Sequence, residues 1–168
     1  TIMCPVACPS DQDASGVTGH RTWPAYRSLS PSELAHRAAE AVALLADCRL
    51  CPRECGARRL KGEKGFCRGG RDVEVSGHHP HFGEERPLVG RHGSGTIFLA
   101  HCSLRCVFCI NWEVSHGGEG RDQGIEDLAA MMLDLQRRGC HNVNLVTPTH
   151  YAAHIVRALD VAAGRGLG

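Results

Sequence analysis

The sequence predicts an α/β fold built on a parallel sheet, on three observations. Thr96-Ile97-Phe98-Leu99-Ala100 is a continuous β-branched and apolar run, as expected of a strand buried on both faces. Ile125, Leu128, Met132 and Leu135 then recur at helical spacing. Asn142 to Thr147 forms a second strand-like stretch, and Ile155, Val156, Leu159 and Ala162 mark a second helix from Thr149 to Ala163. Two strand–helix units in succession require parallel strands joined by helical crossovers.

The remaining elements follow in chain order. Residues 1–29 carry Pro, Ser, Gly, Asp and Thr without apolar periodicity, which predicts a flexible arm containing Cys4 and Cys8. Ser30-Pro31-Ser32-Glu33 is a helix start, with Ser at the N-cap, Pro at the first helical position and Glu completing a capping box. Leu34, Ala38, Ala41, Val42 and Leu45 continue that helix to Asp47, where it delivers the chain into Cys48-x2-Cys51-x3-Cys55-x11-Cys67. Asp72 to Ser76 alternates like a short half-buried strand. His78 to Gly95 reads as a Gly- and His-rich connection, and Glu113 to Gly124 as a long polar loop. Gly139 is placed to end the helix that closes at Arg138. These readings divide the chain into an arm (1–29), a helix with a four-cysteine segment (30–80) and an α/β portion (81–168).

Composition narrows the function. At 168 residues the chain holds one domain with a real core but is short for a complete barrel enzyme. A formal net charge of +1 gives no electrostatic case for a nucleic-acid or membrane partner. No apolar run approaches the roughly 20 residues that cross a bilayer. Thr1-Ile2-Met3-Cys4-Pro5 has neither basic nor apolar signal regions, and a start without Met points to a processed or excerpted chain. Seven of the ten cysteines fall in two tight clusters, which favours metal over disulfides and a reducing, cytoplasmic setting.

Cys102-x3-Cys106-x2-Cys109 follows directly on the first strand, at the end where parallel α/β folds place their sites. Three thiolates from one loop suit a soft metal, and on a cubane iron–sulfur cluster they leave one iron without a protein ligand. Spacing alone also allows a zinc knuckle completed by His101 or His116. Cys48, Cys51, Cys55 and Cys67, with turns at Pro52, Gly56, Gly62, Gly65 and Gly69, form a second metal site. Spacing leaves iron–sulfur and zinc equally open there. His78, His79, His81, Glu84 and Glu85 read as solvated hairpin residues, and Cys140 as a buried structural thiol.

Cys102-Ser103-Leu104-Arg105-Cys106-Val107-Phe108-Cys109 resembles the Cys-x3-Cys-x-aromatic-Cys signature of the radical S-adenosylmethionine (SAM) superfamily. His81-Phe82-Gly83-Glu84-Glu85, Gly93-Ser94-Gly95-Thr96-Ile97-Phe98 and Cys140 to His150 look like its pyruvate formate-lyase activating enzyme-like branch. The likeness covers roughly Cys48 to Leu159. It implies the N-terminal part of a partial (β/α)6 barrel, preceded by a cysteine-rich metal-binding segment. It also implies a [4Fe–4S] cluster on Cys102, Cys106 and Cys109 whose open iron takes SAM. Reductive cleavage would then give a 5′-deoxyadenosyl radical for hydrogen abstraction, an activase-like oxidoreductase activity. Phe108 would lie near the adenine, with Thr147 and His150 as further SAM contacts. Implied partners are an electron donor such as flavodoxin or ferredoxin and a glycyl-radical enzyme. Ser103 and Ile110 depart from the Asn and Gln usual in this branch, and Gly117-Gly118-Glu119 falls too early for the superfamily's SAM-binding Gly-Gly-Glu stretch. The alternative is a non-catalytic iron–sulfur or zinc-binding electron-transfer module that uses both cysteine groups and no SAM.

Overall fold

This computed structural model describes residues 24–168; Cys4, Cys8 and most of the predicted arm lie outside them. The last residues assigned to the arm are structured. Ala25–Ser28 forms a 3₁₀ turn, Tyr26 packs against the main core, and Arg27 donates to the carbonyl of Leu167.

The first helix, α1, spans Pro31–Ala43 and tightens into a 3₁₀ turn over Leu44–Asp47. Ser30 Oγ accepts from the backbone N–H of Glu33 at 3.1 Å, satisfying one of the orphan amides of the first turn. The Glu33 carboxylate accepts from Arg37 one turn on. Leu34 and Ala38 face inward, and α1 packs on the last helix of the chain.

Four strands form one sheet. They are β1 (Val73–His81), β2 (Ser94–Leu99), β3 (Arg121–Gln123) and β4 (Val143–Val146), in the order β3-β1-β2-β4. β2 and β4 are parallel and joined through helix α3 (Ile125–Arg137), as the strand–helix order predicts. The helix ends where expected: Gly139 takes φ +87°, Cys140 N–H reaches the Leu135 carbonyl and Gly139 N–H that of Gln136, a Schellman closure. After a 3₁₀ turn at Thr149–Tyr151, helix α4 (Ala152–Gly164) lies against α1 and α3.

Three expectations need correction. The strand read over Asp72–Ser76 runs on to His81, and the His-rich stretch is its second half, paired antiparallel with β2. Val73 and Val75 lie inward, but beyond a register shift at Ser76 the inside–outside alternation fades, so no period of two marked the extension. The polar loop read over Glu113–Gly124 contains one π-helical turn (Glu113–Gly117) and strand β3, antiparallel to β1. The sheet is therefore mixed, with two antiparallel pairings, β1–β2 and β1–β3, beside the parallel one. β1 also crosses the boundary drawn at residue 80, so one sheet serves both sides of it.

Val73, Val75, Ile97 and Leu99 from the sheet pack with Leu128, Met132 and Leu135 of α3, and with Tyr151, Ala158 and Ala162. A smaller cluster joins Leu45, Cys48 and Ala153, which seats the start of the four-cysteine segment on α4. The short helix α2 (Arg86–Val89) lies in the β1–β2 connection.

Candidate metal centre

The Cys102–Cys109 loop leaves the carboxyl end of β2. Two residues at this end of the parallel pair hold left-handed backbone, His101 at φ +67° and Thr147, just past β4, at φ +56°. For a β-branched residue such as Thr147 that conformation is costly and is kept only where the surroundings demand it. Its hydroxyl spans the two strand ends, donating to the carbonyls of Leu99 and His101 at 3.4 and 3.5 Å. Arg105, inside the loop, is also left-handed at φ +52°.

His101 is anchored from below. Its Nε2 lies 2.9 Å from Glu74 Oε2 on β1, its N–H donates to the carbonyl of Val114, and Lys64 holds the other Glu74 oxygen. Burial alone would push the Glu74 carboxyl up, but Lys64 and His101 outweigh it and hold its pKa below the ordinary value. Of the histidines weighed as zinc ligands, His101 is thus committed to a carboxylate. The other, His116, stacks on Trp112 at 3.7 Å between centroids and shares a hydrogen bond with Ser115.

The eight cysteines among the described residues are free thiols. As they stand, no three His, Cys, Asp or Glu side chains among the described residues gather closely enough to hold a metal ion. Two of the loop's sulfurs are nevertheless oriented by hydrogen bonds. Cys102 Sγ accepts the Leu104 N–H at 3.3 Å, and Cys109 Sγ accepts the Ser115 hydroxyl at 3.2 Å. Such donors orient a ligating sulfur. Cys102 is buried while Cys106 and Cys109 are half-exposed, and an apolar rim surrounds them: Val107, Phe108 (82 % exposed), Ile110 and Trp112. Phe108 is a free surface ring at the loop's outer side, where a planar ligand can stack.

Thr147 and His150 sit differently from each other. Thr147 is half-buried at the strand ends. His150, read from sequence as either a SAM contact or a solvated helix residue, is only 1 % exposed. Its Nε2 lies 3.0 Å from the Ala100 carbonyl, so the ring braces β2 from within. Burial, reinforced by the nearby Arg59, lowers its pKa from 6.5 to about 4. The unfolded chain therefore takes up a proton below about pH 6.5 that the native state refuses until about pH 4. Stability present above the first value is lost as pH falls toward the second, about 3 kcal/mol in all. His154, lowered by its own burial, adds to the same slope. Urea unfolding at steps between pH 7 and 4.5 measures it, and His150→Gln should flatten most of it.

The four-cysteine segment is turn-rich, and it holds a buried cation against Cys48. Arg59, 1 % exposed, donates to the carbonyls of Gly70 (2.9 Å) and His150 (2.5 Å), and its Nη1 lies 3.8 Å from Cys48 Sγ. Cys67 Sγ accepts the Gly69 N–H at 3.4 Å. Burial pushes the Cys67 thiol up, while hydrogen bonding to the Ala57 backbone pulls Cys55 down. A Cβ at Gly65 would collide with Cys55 Sγ, so the segment keeps a cradle that only glycine leaves open. The buried guanidinium and the glycine cradle suit a four-thiolate site, while the burial of Cys67 alone works against a charged sulfur there.

The two cysteine groups also touch, a link the sequence did not signal. Arg53 Nε donates to the Ser103 carbonyl at 3.3 Å and stacks its guanidinium over Phe66 at 4.1 Å, while Arg105 approaches the same ring at 5.8 Å. Arg53 lies in the Cys51-Pro52-Arg53 block, so the first segment props the second loop.

No family model matches the chain, and no solved structure matches it. A Methanocaldococcus jannaschii protein described only as uncharacterized is 40 % identical over 72 residues, a match that covers 43 % of this chain and 20 % of that relative. The chain thus spans about a fifth of that relative's length. No helix among the described residues is long and apolar enough to cross a membrane.

Proposed function

We propose that this chain supplies the cluster-binding part of a radical SAM enzyme, with Cys102, Cys106 and Cys109 as the three protein ligands of a [4Fe–4S] cluster. The observation that carries the reading is the placement of three free thiols on one loop at the carboxyl end of a parallel strand. Thr147, just past the neighbouring strand, donates to the carbonyl of His101, the residue before Cys102. When bound, such a cluster delivers one electron, received from a donor such as flavodoxin or ferredoxin, to SAM, releasing methionine and a 5′-deoxyadenosyl radical that takes hydrogen from a substrate.

The chain's own residues supply the rest. Leu104 N–H and the Ser115 hydroxyl hold Cys102 and Cys109 in their ligating role. Phe108 offers its exposed face to the adenine, and Thr147 presents a hydroxyl at the adjoining strand end. His150 acts from inside the fold, as a positioning residue that fixes Ala100 two residues before Cys102. The four-cysteine segment carries a second iron–sulfur cluster or zinc, and it props the loop through Arg53 and Phe66. The oxygen-sensitive centre belongs in a reducing cytoplasm, and an activase role would give the enzyme a glycyl-radical protein as target.

The test is anaerobic reconstitution of the full-length native protein with iron and sulfide, then dithionite and SAM. Formation of 5′-deoxyadenosine with an equal amount of methionine is expected. An intact cluster that leaves SAM uncut would instead identify an electron-transfer module.

A further inference from the structure

Arg59 carries an inference about the four-cysteine segment. A guanidinium keeps its charge at any physiological pH, and burying it without an opposite charge is costly. Arg59 is 1 % exposed, and among the described residues no carboxylate pairs with it. Its neighbours in the basic run behave otherwise: Arg58 pairs with Glu63 at the surface. Two nitrogens of Arg59 are occupied by carbonyls and by Cys48 Sγ, while Nη2 is buried without a partner. Its Nη1 lies 3.8 Å from Cys48 Sγ, so the guanidinium stands directly against one of the four thiols. A Cβ at Gly69 would come within 2.9 Å of Nη2 and 3.4 Å of Cys67 Sγ, which puts that bare nitrogen on the Cys67 side of the site.

What is missing is negative charge, and the cysteines can supply it. Four thiolates around zinc leave a dianion, and four around an oxidised [4Fe–4S] cluster leave the same. The geometry points to Arg59 as the built-in counter-cation of a dianionic four-thiolate metal centre on Cys48, Cys51, Cys55 and Cys67. The inference rests on the metal site proposed above for that segment but is independent of SAM chemistry at Cys102–Cys109. It assigns the site a charge, and it makes Arg59 a positioning and charge-balancing residue that no ligand spacing reveals.

A counter-ion has a signature that a purely structural arginine lacks: its worth reverses sign when the metal leaves. With metal bound, losing the cation exposes an unbalanced dianion. Without metal, losing it removes an unpaired buried charge, a gain that offsets the lost bonds to the Gly70 and His150 carbonyls. The experiment compares wild type, Arg59→Met, which keeps length without charge, and Arg59→Lys, which keeps charge without the planar fork. Each full-length protein is stripped and titrated with zinc alone against a chromogenic chelator, and urea unfolding is followed with and without zinc. Zinc affinity is expected to fall about 10- to 100-fold in Arg59→Met, the usual range for outer-shell partners, and to stay within about threefold of wild type in Arg59→Lys. The zinc-free Met variant should be at least as stable as zinc-free wild type.

Equal zinc affinity in Arg59→Met overturns the proposal. So does equal loss of affinity in Lys and Met, which would credit the hydrogen bonds, or a zinc-free Met variant as destabilised as the loaded one. Zinc stoichiometry unchanged from wild type after replacement of Cys48, Cys51, Cys55 and Cys67 removes the metal site itself, and the counter-ion with it.

Discussion

Changing Cys102, Cys106 and Cys109 together to serine is expected to abolish one cluster, about four irons per chain, from anaerobically reconstituted protein. Production of 5′-deoxyadenosine should vanish with it. Serine offers no soft sulfur, and the two nearby histidines among the described residues are engaged: His101 is held by Glu74, and His116 by Trp112 and Ser115. The fold should survive, because the loop stands outside the core and most of its residues between Leu104 and Ile110 are exposed or half-exposed. A stability change within about 1 kcal/mol is expected by urea unfolding. Metal at the four-cysteine segment should remain. A triple variant that retains its full iron content would refute the assignment, as would wild-type protein that binds zinc there.

The four-cysteine segment should behave in the opposite way. Residues 44–72 contain 3₁₀ turns and no strand, and beyond Leu45, Cys48, Ala57 and Cys67 few of their apolar groups are buried. Under the proposed metal site, a stretch so poor in core depends on the ion for order. Chelation, or paired replacement of Cys48 and Cys67 by serine, is expected to lower stability by about 4 kcal/mol, the linkage value for metal present about a thousandfold above its dissociation constant. Protease cleavage should appear between Cys48 and Cys67 while the β2–α3–β4–α4 body stays intact. Unchanged unfolding after verified metal removal would show the segment folding on its own contacts.

The sequence displayed those parts of the fold whose signals are local. The Ser30 cap, the periodicity of α3, the Gly139 stop and the apolar run of β2 each speak through neighbouring residues, and each stands where its pattern puts it. β3 carried no such mark: Arg121-Asp122-Gln123 is polar and three residues long, and its pairing with β1 is a tertiary event. The second half of β1 was hidden for a related reason, since His78-His79-Pro80-His81 has no apolar alternation, and His79 meets Phe98 only once the strands pair.

The site was half legible. Thiol spacing marked both cysteine groups, but nothing in Arg58-Arg59-Leu60-Lys61 separates the buried arginine from its solvated neighbours. His150 likewise follows Pro148 as an ordinary helix opener would. What distinguishes both residues is a bond between them across 91 positions of chain, which no window along the sequence can contain.

That bond also orders events during synthesis. His150 leaves the ribosome 91 residues after Arg59, a delay of about 5–18 s at ordinary elongation rates. Through that interval the guanidinium has no carbonyl of His150 to seat it, while all four cysteines of its segment are already out. Under the proposed metal site, the nascent chain captures its ion before α4 docks against the segment.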